Sequence, residues 1–249
     1  MFAGKRYWIV GASEGLGREL ARQMSANGAH LVVSGRNADR LTSLAGTLPN
    51  CTPEALDIQN ATEVAKVAQR IGPLDGLVFA AGVYWPMKAG AWNPEQIETM
   101  CDVNFTGAAR VLSRVVPDMV RRDDGHVVII GSLSGFRGLP GAFGYAASKA
   151  GLMHLAECLH ADLHRSNVRV QLINPGFIRT RLTDKNDFSM PFLLEADQAA
   201  ERVIIGMQSR RFQTNFPRIF SWLFRGGNFL PAGVYYRVFG AGRPVKVED

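Results

Sequence analysis

Short apolar runs alternate along the chain with longer segments whose apolar residues recur every three or four positions. The short runs are rich in Val and Ile, as expected of strands that are buried on both faces of a sheet. The longer segments have the period of amphipathic helices. The predicted strands are Arg6–Val10, Leu31–Ser34, Thr52–Leu56, Gly76–Ala80, His126–Ile130 and Val168–Ile173, and the predicted helices are Leu16–Ala26, Asp39–Leu48, Thr62–Ile71, Pro94–Val116, Tyr145–His164 and Ala196–Ser209.

Repeated strand-helix-strand order predicts an α/β fold with a doubly wound parallel sheet, because right-handed crossovers place helices on both faces. The carboxyl ends of the strands would then meet at one edge, where ligands bind. We expect a single domain, since the chain has 249 residues and no linker rich in Pro, Gly or Ser. Residues 177–195 follow no stable period, and a loop of that length predicts a lid.

Composition and charge narrow the class of protein. No run of about 18 apolar residues occurs, and no signal-like segment precedes the first strand, so we expect a cytoplasmic protein. Cys51, Cys101 and Cys158 fit no metal-ligand or CxxC spacing, so we expect no metal site and interpret them as small buried hydrophobes of a reducing compartment. The net charge of +6 lies mostly in residues 210–249, with seven Lys/Arg against two acids, which argues against nucleic-acid binding by the body.

A glycine-rich turn, Gly11-x3-Gly15-x-Gly17, joins the first predicted strand to the first helix. Glycine lets such a turn close and lets backbone N–H groups approach a pyrophosphate at the helix N-terminus, where the partial positive charge lies. The glycines alone also fit an ordinary tight turn. Their position at the first strand-helix junction favours a dinucleotide site.

The end of the second predicted strand bears on the choice of cofactor. Sites that prefer NAD usually place an acid about 20 residues after the glycine turn. Here Gly35 stands at that place and Arg36 follows it. A guanidinium suits a 2′-phosphate, so NADP(H) is predicted, with NAD(H) as the alternative, although Glu14 beside the turn offers no second cation. Arg36 would otherwise be a solvated charge ahead of a helix capped by Asn37.

Tyr145 and Lys149 are four positions apart and therefore share one helix face. An ammonium near a phenol favours its charged form, so the pair is a plausible acid and base at neutral pH. Ser132 ends a Val-Val-Ile-Ile strand thirteen residues earlier and would face the same pocket. The alternatives are a surface pair on an amphipathic helix and, for Asn104, a residue that caps or kinks a helix. The ordered set of Asn104, Ser132, Tyr145 and Lys149 favours an oxidoreductase.

These motifs resemble, in order and spacing over about residues 5–182, those of the short-chain dehydrogenase/reductase family of the compact kind. The resemblance implies a Rossmann fold and transfer of hydride between a nicotinamide cofactor and a carbonyl or secondary alcohol. The residues that carry it are Gly11–Gly17, Ala80-Ala81-Gly82, Asn104, Ser132, Tyr145, Lys149 and Pro175–Thr180.

The resemblance also implies residue roles. Tyr145 would be the acid/base and Ser132 would orient the substrate oxygen. Lys149 would hold the nicotinamide ribose and lower the tyrosine pKa, while Asn104 would support a water relay. Asp57 would contact the adenine, and Ile178 and Thr180 would fix the carboxamide. The implied cofactor-binding residues are Gly11, Ser13, Glu14, Gly15, Leu16, Gly17, Arg36, Asp57, Ile58, Ala81, Gly82, Tyr145, Lys149, Pro175, Gly176, Ile178 and Thr180.

The chain departs from the family pattern at three places. Val10 stands where members often have Thr, and Phe79-Ala80 stands where they have Asn-Asn. These positions brace the sheet, so we expect local repacking. The chain also lacks the short final strand ending in Asp-Gly-Gly that many members use in tetramer assembly, so we expect a homodimer.

Residues 212–239 contain nine of the 23 aromatic residues. A helix after Pro217 would place Arg218, Ser221 and Arg225 on one face and apolar side chains on the rest. Three interpretations remain: a cover over a hydrophobic pocket, a dimer contact and an interfacial membrane helix. We divide the chain into a catalytic domain, 1–209, and an extension, 210–249, that packs on the domain, a partner subunit or a membrane surface.

The sequence thus predicts an NADP(H)-dependent oxidoreductase that interconverts a small-molecule carbonyl and a secondary alcohol. The substrate should be hydrophobic, because the lid is apolar. The alternative is a non-catalytic nucleotide-sensing or membrane-associated protein of the same fold, although a sensor needs no proton donor. The apolar lid residues are Phe177, Phe188, Met190, Phe192, Leu193 and Leu194.

Overall fold

Seven parallel strands form one sheet in the computed structural model, which describes residues 1–185 and 189–240. The strands are β1 (Arg6–Val10), β2 (His30–Gly35), β3 (Cys51–Ala55), β4 (Gly76–Phe79), β5 (Gly125–Ile130), β6 (Val168–Pro175) and β7 (Gln213–Phe216). Their order across the sheet is β3-β2-β1-β4-β5-β6-β7. The chain winds outward from β1 to one edge and returns to β4, so the direction of winding reverses between β1 and β4. Such a reversal opens a crevice at the carboxyl ends of the strands.

Helices cover both faces of this sheet. They are α1 (Gly15–Ala26), α2 (Ala38–Ala45), α3 (Ala61–Ile71), α4 (Pro94–Cys101), α5 (Gly107–Arg122), α6 (Phe143–Leu163), α7 (Ala196–Gln208), α8 (Arg218–Gly227) and α9 (Ala232–Phe239). Apolar side chains of α1, α2 and α7 form one core layer, and those of α3, α5 and α6 form the other. Successive β1 residues alternate between the layers, Ile9 in the first and Trp8 in the second, as the period of a strand requires. The predicted fold class is confirmed.

The predicted elements agree with the observed ones to within three residues at each end, apart from one helix. The predicted Pro94–Val116 helix contains a wide π-helical turn, Asp102–Thr106, between α4 and α5, and it continues through Pro117 to Arg122. A proline removes one helical hydrogen bond. Val115 and Met119 on either side of Pro117 are buried in the core, so tertiary packing maintains the helix.

Two sequence expectations are wrong. A short final strand does exist: β7 pairs in parallel with β6, with Thr214 opposite Ile173, although it lacks the Asp-Gly-Gly ending. The expected burial of the cysteines also fails, because Cys101 and Cys158 are exposed and only Cys51 is half-buried. Apolar periodicity assigns a face to a helix but does not reveal which small residues lie at the margin of that face.

The C-terminal helices pack on the loop that follows β5. The Arg137 guanidinium lies 4.1 Å from the centre of the Tyr235 ring and donates to the Leu230 carbonyl at 3.0 Å. The Tyr235 hydroxyl in turn donates to the Gly138 carbonyl at 3.1 Å. These contacts fix α8 and α9 beside the segment that carries Ser132. These contacts join α8 and α9 to the body of the protein, while the division of the chain into a domain, 1–209, and an extension, 210–249, stays a prediction.

Candidate active site

A cleft of about 350 Å³ lies at the carboxyl ends of the central strands. It is lined by backbone and side chains from the glycine turn, from the ends of β2, β4, β5 and β6, and from α6. Every residue predicted to bind the cofactor lines it, and so does Ser132. Asn104 alone among the predicted site residues lies behind the lining. The structure thus brings the predicted set together around one space, while the role of each residue remains a prediction.

The backbone of the glycine turn packs so closely that side chains would not fit at Gly11 and Gly17. Gly11 has φ of +98°, and a methyl group there would lie 2.5 Å from the Ala81 nitrogen. A methyl group at Gly17 would overlap the Gly11 carbonyl oxygen. The first turn of α1 follows Glu14, whose side chain makes no capping hydrogen bond, so the helix N-terminus is open to an anion. This cradle fits the pyrophosphate of a dinucleotide.

Three arginines surround the end of the cleft near β2. Arg36 is exposed, and within residues 1–185 and 189–240 its guanidinium has no ion pair or hydrogen bond. Arg40 forms an ion pair with Glu14, and Arg181 donates from Nε to the same carboxylate at 2.7 Å. The sequence analysis missed Arg40 and Arg181, and it noted only that Glu14 offers no second cation for a 2′-phosphate. Arg40 follows Arg36 by four positions, which was an available signal.

Tyr145 and Lys149 of α6 point into the cleft from one helix face. Burial raises the pKa of Tyr145 to about 12, and a side-chain interaction with Ser132 acts in the opposite direction. The Lys149 ammonium lies 5.8 Å from the centre of the Tyr145 ring. Desolvation is the largest of these effects on the phenol, so the pKa is raised overall. The lowering of the phenol pKa by Lys149 that the resemblance implied stays a prediction. Tyr145 keeps its proton at neutral pH.

Lys149 is buried, and its ammonium donates to the Ile130 carbonyl at 3.0 Å. Ile130 is the last residue of β5, so the strand end fixes the position of the ammonium. Burial lowers the pKa of Lys149 to about 8. The side chain therefore still carries a charge at neutral pH, held beside the cleft at a considerable desolvation cost.

Ser132 begins a short 3₁₀ turn, Leu133–Gly135, just beyond β5. Its hydroxyl lies 2.8 Å from the Ser134 hydroxyl and accepts a hydrogen bond from the Ser134 N–H at 3.2 Å. These contacts set the orientation of the hydroxyl at the cleft wall. The tight turn directly after the buried strand β5 thus places the Ser132 hydroxyl at the wall of the cleft.

Asn104 is fully buried inside the π-helical turn between α4 and α5. Its amide nitrogen donates to the Val83 carbonyl at 2.9 Å and to the Ser148 hydroxyl at 3.0 Å, and its oxygen accepts from the Val83 N–H at 2.8 Å. The side chain therefore ties the segment after β4 to α6. A π-turn inside a helix often marks a functional position. The Asn104 side chain forms no capping hydrogen bond in this turn, and its role in a water relay stays a prediction.

Aromatic residues flank the mouth of the cleft, and sequence reasoning missed Tyr84. Its ring meets the Tyr145 ring edge to face at 5.1 Å between centres. Lys185, in the segment predicted to be a lid, donates to the Tyr84 carbonyl at 2.8 Å and lies 4.2 Å above the Trp85 ring. The segment thus reaches across the mouth of the cleft. Phe188 lies outside the described residues.

Apolar side chains from the C-terminal extension meet the same segment. The Phe220 ring of α8 lies 5.8 Å from the Phe177 ring and 5.7 Å from the Phe192 ring. A methyl group at Gly176 would contact Phe220 at 3.3 Å. Phe220 therefore lies directly behind the strand end that lines the cleft.

Comparisons with known proteins agree with this geometry. The family model described as short chain dehydrogenase matches residues 5–189. A protein of Myxococcus xanthus named an uncharacterized oxidoreductase is 38% identical over 219 residues, which cover 84% of this chain and 86% of the relative. A 3-oxoacyl-(acyl-carrier-protein) reductase FabG of Rickettsia felis is 32% identical, with coverage of 73% and 76%.

Solved structures give the same result. A short-chain dehydrogenase from Sphingobium yanoikuyae in complex with NADPH superposes with a TM-score of 0.82 at 25% identity, over 98% of this chain and 99% of that one. The family match covers the glycine turn, Tyr145 and Lys149, all of which line the same cleft. The chain belongs to the short-chain dehydrogenase family and is an oxidoreductase.

Proposed function

We propose that this chain is an NADP(H)-preferring oxidoreductase that interconverts a hydrophobic carbonyl and a secondary alcohol, with Tyr145 as the acid/base. The single observation that carries the proposal is the common position of Ser132, Tyr145 and Lys149 on the wall of the cleft whose floor is the glycine turn. A phenol that retains its proton, beside a hydroxyl and an ammonium, is equipped to protonate an oxygen next to a bound dinucleotide.

The residues divide the work of carbonyl reduction. When bound, the cofactor supplies hydride to the carbonyl carbon. Tyr145 donates its proton to the carbonyl oxygen, which its raised pKa permits at any pH below about 12. Ser132 donates to the same oxygen and orients it. The charged Lys149 stabilises the phenolate that remains, and the Ile130 carbonyl holds the ammonium in place.

Two arginines support a preference for NADP(H). Arg36 and Arg40 both line the end of the cleft near β2, where the ribose of the adenosine half would lie. Paired guanidinium groups suit a 2′-phosphate dianion better than a neutral hydroxyl. The short-chain dehydrogenase from Sphingobium yanoikuyae is a complex with NADPH, which agrees with this choice.

The apolar surroundings support a hydrophobic substrate. Phe177 and Phe192, which belong to the segment at the cleft mouth, form one aromatic contact group with Phe220 of α8. Each methylene that such a wall removes from water contributes about 0.8 kcal/mol to binding. The name of the Rickettsia felis relative, a 3-oxoacyl reductase, points to the same class. We therefore favour neutral ketones and β-ketoacyl esters of increasing chain length.

The test is oxidation of NADPH across a carbonyl panel by the native chain, Tyr145→Phe and Tyr236→Phe. Tyr145→Phe should lower kcat about 10²- to 10⁴-fold and leave NADPH affinity within a few-fold, because only the proton donor is lost. Tyr236, exposed on α9, is the matched control and should change neither quantity. Near-native turnover in Tyr145→Phe would contradict the assigned role. Tight NADPH binding without turnover of any carbonyl by the native chain would instead favour a nucleotide sensor.

The substrate class has its own test. Across a homologous ketone series, kcat/KM should rise with chain length, and Phe220→Ala should flatten the rise. Ile205→Ala, an exposed apolar position on α7, serves as the control. A preference for small hydrophilic carbonyls would show that the aromatic contact group serves packing only.

A further inference from the structure

The outer surface of α8 and α9 is apolar and exposed. Ile219, Trp222 and Leu223 occupy one face of α8 at positions i, i+3 and i+4, and their exposed fractions are 76%, 74% and 51%. Phe229, between the two helices, is 90% exposed. On α9, Val234 and Val238 share a face and are 48% and 66% exposed. We call these six residues the outer apolar surface.

The inner side of α8 explains why this surface points outward. Phe220 packs on Phe177, while Ser221 is buried and its hydroxyl donates to the Arg218 carbonyl at 2.8 Å. The hydrogen bond satisfies the serine within its own helix, so no polar partner in the body is needed. A serine thus lies inside while a tryptophan lies outside, the reverse of ordinary packing on the body of a protein.

The charged side chains of α8 and α9 have one sign. Arg218 and Arg225 of α8 and Arg237 of α9 are exposed, and residues 202–247 contain no Asp or Glu. In a symmetric contact between two copies, this surface would meet itself and bring the arginines of both copies together, with no acid in α8 or α9 to pair them. An apolar face with Trp and Phe, bordered by arginines, matches the acyl chains and anionic headgroups of a lipid interface.

From this geometry we propose that the outer apolar surface and its three arginines dock the protein on an anionic lipid bilayer. The docking is peripheral, since no helix among residues 1–185 and 189–240 is long and apolar enough to cross a bilayer. Trp222 and Leu223 would enter the boundary between headgroups and acyl chains, and the arginines would pair with lipid phosphates.

Docking in this orientation bears on substrate supply. Phe220 on the inner side of α8 contacts two phenylalanines of the segment across the cleft mouth, while the opposite side of the same helix would contact lipid. The cleft therefore opens near the membrane, where hydrophobic carbonyls concentrate. This consequence rests on the proposed function, whereas the docking itself does not.

The test is sedimentation of the full chain with vesicles. The native chain should sediment with vesicles of phosphatidylcholine containing about one third phosphatidylglycerol, and only weakly with pure phosphatidylcholine. Trp222→Ser combined with Leu223→Ser should weaken the partition into anionic vesicles at least about tenfold, because burying one large apolar side chain is worth roughly that factor. Arg218→Gln combined with Arg225→Gln should weaken it several-fold and reduce its dependence on salt.

Trp92→Ser is the matched control, since Trp92 is 60% exposed at a site remote in sequence, and it should bind vesicles as the native chain does. Circular dichroism and the thermal midpoint establish that each variant is folded. Equal sedimentation of the native chain and the Trp222/Leu223 variant would overturn the proposal. The proposal would also be overturned if the native chain does not sediment with vesicles and the Trp222/Leu223 variant forms smaller species than the native chain. The surface would then join two copies of the protein.

Discussion

Arg181 holds the Glu14 carboxylate with two hydrogen bonds, from Nε to Oε2 at 2.7 Å and from Nη2 to Oε1 at 2.8 Å. Glu14 belongs to the glycine turn, and Arg181 belongs to the segment predicted to be a lid. Arg40 of α2 also pairs with this carboxylate. One acid thus links three parts of the cleft rim. Because the carboxylate competes with a 2′-phosphate for Arg40, it opposes the charge preference that the arginines create.

Replacing Glu14 with Gln should therefore tighten NADPH binding about two- to fivefold and leave NADH binding nearly unchanged. The expected size is small because the groups are partly exposed and an ion pair of this kind contributes roughly 0.2–1 kcal/mol. Arg181→Gln is the control, since it removes the link to the lid but keeps the acid beside Arg40. Fluorescence titration of both cofactors measures the effect. If the two variants behave alike, Glu14 acts through the link and not through its charge.

Replacing Arg36 or Arg40 with Ala should lower the preference for NADPH over NADH. A charge-assisted hydrogen bond contributes about 1.5–3 kcal/mol, or roughly ten- to a hundredfold in affinity. Arg22→Ala, on an exposed part of α1 outside the cleft lining, should leave the preference intact. The Kd values of NADPH and NADH, measured for the native chain and each variant, give the change in preference. Equal or tighter NADH binding by the native chain would refute the assignment of NADP(H).

The rate of carbonyl reduction should fall as the pH rises above about 8. The lowered pKa of Lys149, about 8, means that its ammonium loses its proton in that range, while Tyr145 keeps its own until about 12. The Lys149→Arg variant should have a lower rate at every pH, because a planar guanidinium fits the Ile130 carbonyl less well. Its rate should not fall above pH 8, because Arg stays charged. The measurement is kcat/KM from pH 6 to 10. A fall at the same pH in Lys149→Arg would assign it to another group.

Stability toward acid should depend on His126. Burial and the nearby Arg169 lower its pKa to about 3, and its Nδ1 accepts hydrogen bonds from the Tyr7 hydroxyl at 2.9 Å and from the Arg169 guanidinium at 3.0 Å. Between pH 6.5 and 3 the unfolded chain binds a proton that the folded chain excludes. The free energy of unfolding therefore falls as the pH drops through that window, by up to about 1.4 kcal/mol per pH unit for this group.

The His126→Gln variant lacks this contribution. Its loss of unfolding free energy between pH 6.5 and 5 should therefore be smaller than that of the native chain by about 1.6 kcal/mol. Urea unfolding at several pH values measures it. His30→Gln, at an exposed position, is the matched control and should retain the native dependence. An identical pH dependence in all three proteins would show that His126 takes up its proton without unfolding.

Much of the cleft could be predicted because its residues follow strand ends. Ser132 after β5 and Gly11 after β1 come together since parallel strands end at one edge. Arg40 and Arg181 could not be found in this way, because they meet Glu14 across 26 and 167 positions of sequence. The spacing of four positions from Arg36 was a signal for Arg40, but no local pattern specifies that Arg40 and Arg181 converge on Glu14.

The sequence by itself determined the alternation of strands and helices, the family and the residues that gather around the cleft, because hydrophobic period, glycine spacing and strand order are local properties. The pKa values of site residues and the orientation of Trp222 were decided by the tertiary structure alone, because they depend on what packs around each side chain. Desolvation by the packed core raised the pKa of Tyr145 and lowered the pKa of Lys149. Packing of Phe220 against the cleft-mouth segment turned Trp222 outward. The pKa shifts and the orientation of Trp222 both depend on contacts between segments that are distant in sequence. The free energies of such contacts cannot be read from any single stretch of sequence.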